Sequence, residues 1–309
     1  MKIVEPSFEI QNDLDDVSIA VRLEACGRVC YKSEDKITDD SALPFVTRIA
    51  AHGHNSVLEM AVVSFKLQCL PRHVQELLAC QPKYLVVDVV EAGMLITGSI
   101  RAFRELYNQH KHNRIINTLT GMLALDLPYL FDTIFDKSIA LEKDPELVIT
   151  RLGLRDVDSL PDFLRKKHRF VSVRFIVNRA VTHELVRHRP CSFLQESQRY
   201  CRYGQDKFDN QVTFIKPMFY QEGSKEFELW QEAMELTEAR YLKLLETSTP
   251  QAARTVLPNS CKTEIIVYCN LEEWQHIFSL RTSPAAEPSM REIMIPLQLE
   301  MQKRFMLNE

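Results

Sequence analysis

Apolar runs rich in β-branched residues recur at Ala61 to Cys69, Tyr84 to Val90, Phe170 to Val177, Val212 to Ile215 and Glu264 to Cys269. Several alternate with period two, which predicts strands with one buried face. Helical periodicity is clearest from Lys225 to Leu245, where Phe227, Trp230, Met234, Tyr241 and Leu245 share one broad face. Capping chemistry predicts three more helix starts. Thr249 before Pro250 is an N-cap with proline at the first helical position, where the missing N–H costs nothing. Asn270 with Glu273 resembles a capping box, which predicts a helix from Leu271 to about Arg281, stopped by Pro284. Ser289 with Glu292 repeats the pattern ahead of a C-terminal helix that Pro296 is expected to kink. The stretch from about Leu70 to Arg169 is less regular. Ile100 to Tyr107 reads as helix, and the basic run Arg165 to Arg169 as a solvated loop. The pattern predicts an α/β or α+β protein, a mixed sheet flanked by helices, with no internal repeat.

With 309 residues, 45% of them hydrophobic, the chain is long enough for one large domain or two modest ones. A net charge of -4 removes the positive field of a general nucleic-acid binder but leaves small anionic ligands open. Neither GxGxxG nor GxxxxGK[ST] occurs, so the fold is not expected to be Rossmann or P-loop. Phosphates must then be bound by side chains and helix ends. No long apolar run and no secretory-type N-terminal pattern are present, which predicts a cytoplasmic protein without a membrane partner. The eight cysteines, none in a CxxC pair, read as reduced core or loop residues.

The densest polar constellation is Thr182 to Tyr200. Helical composition runs to Arg187, and Pro190 is expected to force the chain out of the helix at about Arg189. Beyond it Gln195, Ser197 and Arg199 recur every second residue, which in an extended segment points all three to one side. An amide, a hydroxyl and a guanidinium beside Arg187, His188 and Arg189 suit a phosphorylated ligand. They also suit a buried polar network, with the arginines paired to Glu184 and Glu196. A zinc site of the HExxH kind is not expected, because His183 and His188 are five residues apart, about 140° around a helix. His52 and His54, with only Glu59 following, are a weak metal signal as well. No metal is expected.

Arg187-His188-Arg189, seven residues and then Ser197 resemble the signature of the flavin-dependent thymidylate synthases, and the likeness continues through Arg199-Tyr200. Three further segments agree in order: His52-Gly53-His54-Asn55-Ser56 with Glu59, Ala253 to Pro258, and Asn270 to Arg281. The resemblance covers roughly residues 1 to 68 and 170 to 309. It implies a single domain over 1–309 with an atypical insertion at about 70–169, in a homotetramer whose active sites are shared between subunits. The implied reaction makes dTMP from dUMP, with methylenetetrahydrofolate as carbon donor and NADPH as reductant through FAD.

By position, the resemblance assigns Arg187, His188, Arg189, Ser56, Gln195, Asn270, Leu271, Glu272 and His276 to FAD, and puts His54 near flavin and folate. It assigns Glu184, Arg187, Gln195, Glu196, Ser197, Gln198, Arg199, Arg254 and Arg281 to dUMP. Gln195 and Glu184 stand where some relatives carry glutamate and glutamine, which alters the charge of the pocket. Arg281, always charged, is expected to act as the electrostatic catalyst of negative charge developing on the uracil ring. Cys191 and Cys201 flank the motif and are expected to pack rather than to act as nucleophiles. The competing expectations are a flavin- or nucleotide-binding protein of this family without turnover, and a nucleic-acid binder using Arg165 to Arg169, which the net charge opposes.

Overall fold

A computed structural model describes residues 1–139 and 144–306. Its strands, in chain order, are β1 (Lys2–Val4), β2 (Ser7–Ile10), β3 (Val62–Gln68), β4 (Leu85–Val90), β5 (Gly93–Ser99), β6 (Val148–Leu152), β7 (Phe170–Asn178), β8 (Ser192–Gln195), β9 (Thr213–Ile215) and β10 (Lys262–Asn270). The five strands expected from the apolar runs are all present. The class is α+β, as the hydrophobic pattern predicts.

One antiparallel sheet runs β2-β7-β10-β8 and is centred on β7 and β10, paired over their whole length from Phe170 opposite Asn270 to Asn178 opposite Lys262. Strand alternation gives this sheet two different faces. Val171, Val173, Phe175, Val177, Ile265 and Val267 point into a core closed by the helices Leu271–Arg281 and Pro288–Phe305, with Trp274 and Leu297 fully buried. On the opposite face Leu194, Ile266 and Tyr268 join a second core. The parallel pair β1–β9 reaches β10 through an antiparallel bridge between Phe214 and Cys261. The helix Lys225–Leu245 covers that end through Phe227, Met234, Tyr241 and Leu245, with Trp230 partly buried, as its periodicity requires.

The second sheet, β4-β5-β3-β6, is also antiparallel. Its Phe65, Leu67, Met94 and Ile96 pack with Leu23, Val46 and Leu58 and with Phe103 and Leu119 into one continuous core. Residues from about 70 to 169 therefore share a core and a sheet with β3. Gly93 makes the β4–β5 turn possible: its φ is +139°, and a Cβ there would stand 2.0 Å from the Leu67 carbonyl oxygen.

Two local expectations are corrected. The C-terminal helix starts at Pro288, not at Ser289, and Glu287 is the cap, its carboxylate accepting the Met290 N–H at 2.9 Å. Proline at the first helical position fixes the entry, and Ser289 bonds the Glu287 carboxylate instead. The helix then continues through Pro296. The basic run is no solvated loop: Asp162–His168 is a helix, and its charges find partners. Lys167 pairs with Asp88 at 2.8 Å, buried His168 meets the Thr97 hydroxyl at 2.8 Å, and buried Arg169 pairs with Asp158 and Asp15. Among the described residues no helix is long and apolar enough to cross a membrane.

The layers are joined by a buried arginine. Arg22, in the helix Ile19–Val29, donates from Nε to the Met60 carbonyl at 2.5 Å, and from its terminal nitrogens to the Leu14 carbonyl at 3.0 Å and the Ser172 hydroxyl at 3.0 Å. It pairs with Asp15 at 3.3 Å and lies 4.4 Å from the centre of the Tyr268 ring. Replacing Arg22 with Met should lower the unfolding free energy by about 3–5 kcal/mol, since it strands buried acceptors and a carboxylate. Urea denaturation checks this, and a loss under about 1 kcal/mol would mean the bonds do not hold the layers together.

Candidate active site

Asn178 ends β7 and caps the next helix, its side chain accepting the Val181 N–H at 2.9 Å. That helix, Arg179–Leu185, stops one turn earlier than Pro190 alone requires, because the chain must turn through Val186–Pro190 to place β8 beside β10. The turn separates the three basic residues: Arg187 and Arg189 are exposed, while His188 is buried.

His188 meets Arg281 there. Arg281, at the end of the helix Leu271–Arg281, donates to the Glu184 carboxylate at 2.5 Å, to the Glu184 carbonyl at 3.1 Å and to His188 Nε2 at 3.1 Å. Because Nε2 accepts, the ring proton is assigned to Nδ1, which faces the Glu273 carboxylate at 3.6 Å. The His276 ring stands edge-on, 6.0 Å from His188. Burial, then the Arg281 charge and His276, lower the His188 pKa from 6.5 to about 4, so the imidazole is neutral at pH 7. Burial raises the Glu273 pKa, and its Oε1 has no hydrogen-bond partner. The donor atoms of His188, Glu273 and His276 lie within 4.8 Å of one another. A cation there would meet the Arg281 guanidinium already bonded to His188 Nε2, which opposes a metal at this position.

The row expected beyond Pro190 is interrupted. β8 ends at Gln195, whose amide donates to the hydroxyls of Thr182 at 3.1 Å and Thr263 at 3.2 Å. Ser197 N–H then bonds the Cys30 carbonyl, and the N–H groups of Tyr200 and Cys201 return to the Ser197 carbonyl. The segment is therefore a turn and not an extended strand. Glu196 points inward, its carboxylate accepting from the Tyr203 hydroxyl and from Lys262, both at 2.9 Å. Gln198 is buried with an unpartnered Nε2, and Arg199 is exposed, 5.6 Å from the centre of the Tyr200 ring. Arg254, half-buried in the short turn after the helix Pro250–Ala253, has no ion pair among the described residues. Within one chain, no described hydrogen bond or ion pair joins Arg199 or Arg254 to Arg281.

Of the other expected residues, Arg189 and Asn270 line a cleft of about 450 Å³, whose walls also include Glu59 and Ser192. Asn270 caps its helix by accepting the Glu273 N–H at 2.9 Å, and its amide donates to the Lys167 carbonyl at 2.9 Å. Glu273 does not reach back to Asn270, so the expected capping box is only half formed. The Leu271 side chain is fully buried and its N–H bonds the Arg169 carbonyl, which leaves neither for a ligand. Glu272, His276, Ser56 and His54 are exposed, His54 following Gly53 at φ +72°. Cys191 and Cys201 are buried, and burial pushes the Cys201 thiol up to about 12, so it is no thiolate at pH 7. Two features escape the sequence reading. Glu273 is legible there only as a cap, although its position one turn before His276 is a face-sharing signal. The cleft wall contributed by Tyr84 and Arg101 carries no motif.

A family model described as "Thymidylate synthase complementing protein" matches residues 18–79 and 167–305, well over half of the chain. The chain belongs to this family. Residues 80–166 lie outside the family match. Proteins named flavin-dependent thymidylate synthase are similar to it. That of Pyrococcus furiosus is 36% identical over 128 residues, which is 41% of this chain and 52% of that protein. That of Geobacter sulfurreducens is 34% identical over 122 residues, 39% of this chain and 51% of that protein. The chain thus spans about half the length of these curated relatives. A solved structure of a UMP/dUMP methylase, PolB of Streptomyces cacaoi, aligns with a TM-score of 0.38 at 22% identity, over 45% of this chain and 68% of that one.

The buried His188 of this family member predicts a pH dependence. Its pKa is lower folded than unfolded, so its contribution is complete above pH 6.5 and is lost as pH falls towards 4. The loss should be roughly 1–3 kcal/mol for a shift of this size. His188→Gln, which keeps an acceptor for Arg281, should flatten the unfolding midpoint over that window; an unchanged slope would place the titration elsewhere.

Proposed function

We propose that the chain is a flavin-dependent thymidylate synthase: it converts dUMP to dTMP, with methylenetetrahydrofolate as carbon donor and NADPH as reductant through FAD. The reading rests on the contact of Arg281 with Glu184 and His188, which brings the signature segment and the downstream segment Asn270 to Arg281 into one site. We also propose one domain over 1–309, carrying residues 80–166 as an addition, and a cytoplasmic location.

The residues present fit a flavin. Arg189 lines the cleft without an ion pair among the described residues, and is available to a phosphate. The unpartnered Glu273 Oε1 offers an acceptor to a ring N–H. When bound, the flavin supplies the electrons that the methyl group requires.

The chain's own work is electrostatic. Carbon 5 of the uracil attacks more readily as negative charge spreads to N3 and O4, and Arg281 is the group to stabilise it. Glu184 holds that guanidinium in place and screens its charge. A ring that gains negative charge competes with the carboxylate only as the reaction proceeds. His188, neutral, orients Arg281 as an acceptor without adding a second positive charge that would favour the ground-state phosphate instead. Arg199 and Arg254 are assigned to the dUMP phosphate, with Gln195, Glu196, Ser197 and Gln198 around base and sugar. A homotetramer whose active sites are shared between subunits is part of the same proposal.

Purified protein should be yellow and should show flavin oxidation that depends on dUMP and methylenetetrahydrofolate, with dTMP as product. A colourless protein that FAD does not reconstitute would overturn the reading. Arg281→Ala should lose about 100-fold or more in turnover while retaining flavin; unchanged turnover would remove its catalytic role.

A further inference from the structure

Residues outside the family match line the same cleft as Arg189 and Asn270. The helix Pro71–Ala79 ends with Gln81 in the left-handed conformation, φ +49°, and its N–H returns to the Leu78 carbonyl. Pro82 prevents the helix from resuming, so Lys83 and Tyr84 are set at the cleft mouth by backbone geometry. Tyr84 leaves 73% of its surface exposed there, unusual for an aromatic ring with no partner ring among the described contacts.

The cleft lining carries charges of both signs. Arg101, on the helix Ile100–His110, is bound to Glu59 at 2.6 Å and to Glu105 at 2.5 Å, a trio of net charge -1 that ties the added region to the upstream motif segment. Lys83 and Arg189 have no ion-pair partner among the described residues. They come from different segments, one outside the family match and one in the signature motif, and both line the cleft. Two free cations and an open aromatic ring suit a ligand with a planar heterocycle and phosphate groups.

We propose that Lys83 and Tyr84 are ligand-binding residues for an aromatic dinucleotide: Tyr84 stacks on a ring, and Lys83 acts with Arg189 on phosphate. The proposal rests on the functional reading above, and adds to it a binding surface supplied by residues 80–166. Two dinucleotides share this chemistry, the flavin and the nicotinamide reductant.

The test uses the full chain freed of flavin, with Lys83→Ala, Lys83→Glu and Tyr84→Ala. FAD, NADPH and dUMP are titrated separately by fluorescence and calorimetry. Lys83→Ala should weaken FAD or NADPH by about tenfold, the loss of one charge-assisted phosphate contact. Lys83→Glu should weaken it more, and the affinity for dUMP should not change. Loss for FAD alone assigns the cleft to the cofactor, and loss for NADPH alone to the reductant. Both side chains are exposed, so melting temperatures should match the wild type and separate binding from folding. Wild-type affinity of every variant for both dinucleotides, in a protein that binds them, would overturn this inference and leave the enzyme reading standing. A wild-type protein that binds neither FAD nor dUMP would overturn both.

Discussion

A buried guanidinium, that of Arg22, is the constraint on which the arrangement of layers depends. The guanidinium projects from the helix Ile19–Val29; the turn carrying Leu14 and Asp15, the segment ending at Met60 and the strand of Ser172 each supply it with an acceptor, and Tyr268 supplies a ring face. Burying a charge is favourable only when its bonding capacity is filled, so these elements must arrive together or not at all. Asp15 extends the arrangement to Arg169, at the start of β7. The upstream histidine segment and the β7–β10 sheet are thereby held in one register relative to each other.

The site uses the same physics with one difference. Arg281 also has its bonds filled, but by Glu184, a residue still partly open to solvent. A guanidinium held that way is oriented without being spent on structure. His188 completes the orientation, and its low affinity for protons keeps the local positive charge on a single group at neutral pH. Burial alone would produce a rigid arginine; partial exposure leaves one able to answer a ligand.

What was legible in the sequence was whatever short-range chemistry decides. The strand periods, the caps Thr249 and Asn270 and the long face from Phe227 to Leu245 depend on neighbours a few residues away, and each was found where expected. The Ser289 cap misled because Pro288 sets the helix entry one residue earlier. The Gln195–Arg199 row misled because its conformation is decided by Glu264 and Cys30, whose carbonyls take the N–H groups of Glu196 and Ser197. Lys167, His168 and Arg169 read as solvated because their partners Asp88, Thr97 and Asp15 are far away in sequence. For the site, the motifs supplied Glu184, His188 and Arg281, but not the partner Glu273 or the cleft wall at Lys83 and Tyr84, since residue type alone does not report which surfaces meet.

Strand β3 lies within the family match but depends on residues outside it. Both of its neighbours, β5 and β6, lie within residues 80–166, the stretch outside the family match. A shortened chain lacking that stretch would leave β3 with two open edges and Phe65 and Leu67 uncovered, the condition that invites pairing between molecules. The region is therefore not a detachable module. The family-matched β3 and residues 80–166 share one sheet, so each shields backbone edges that the other would otherwise expose.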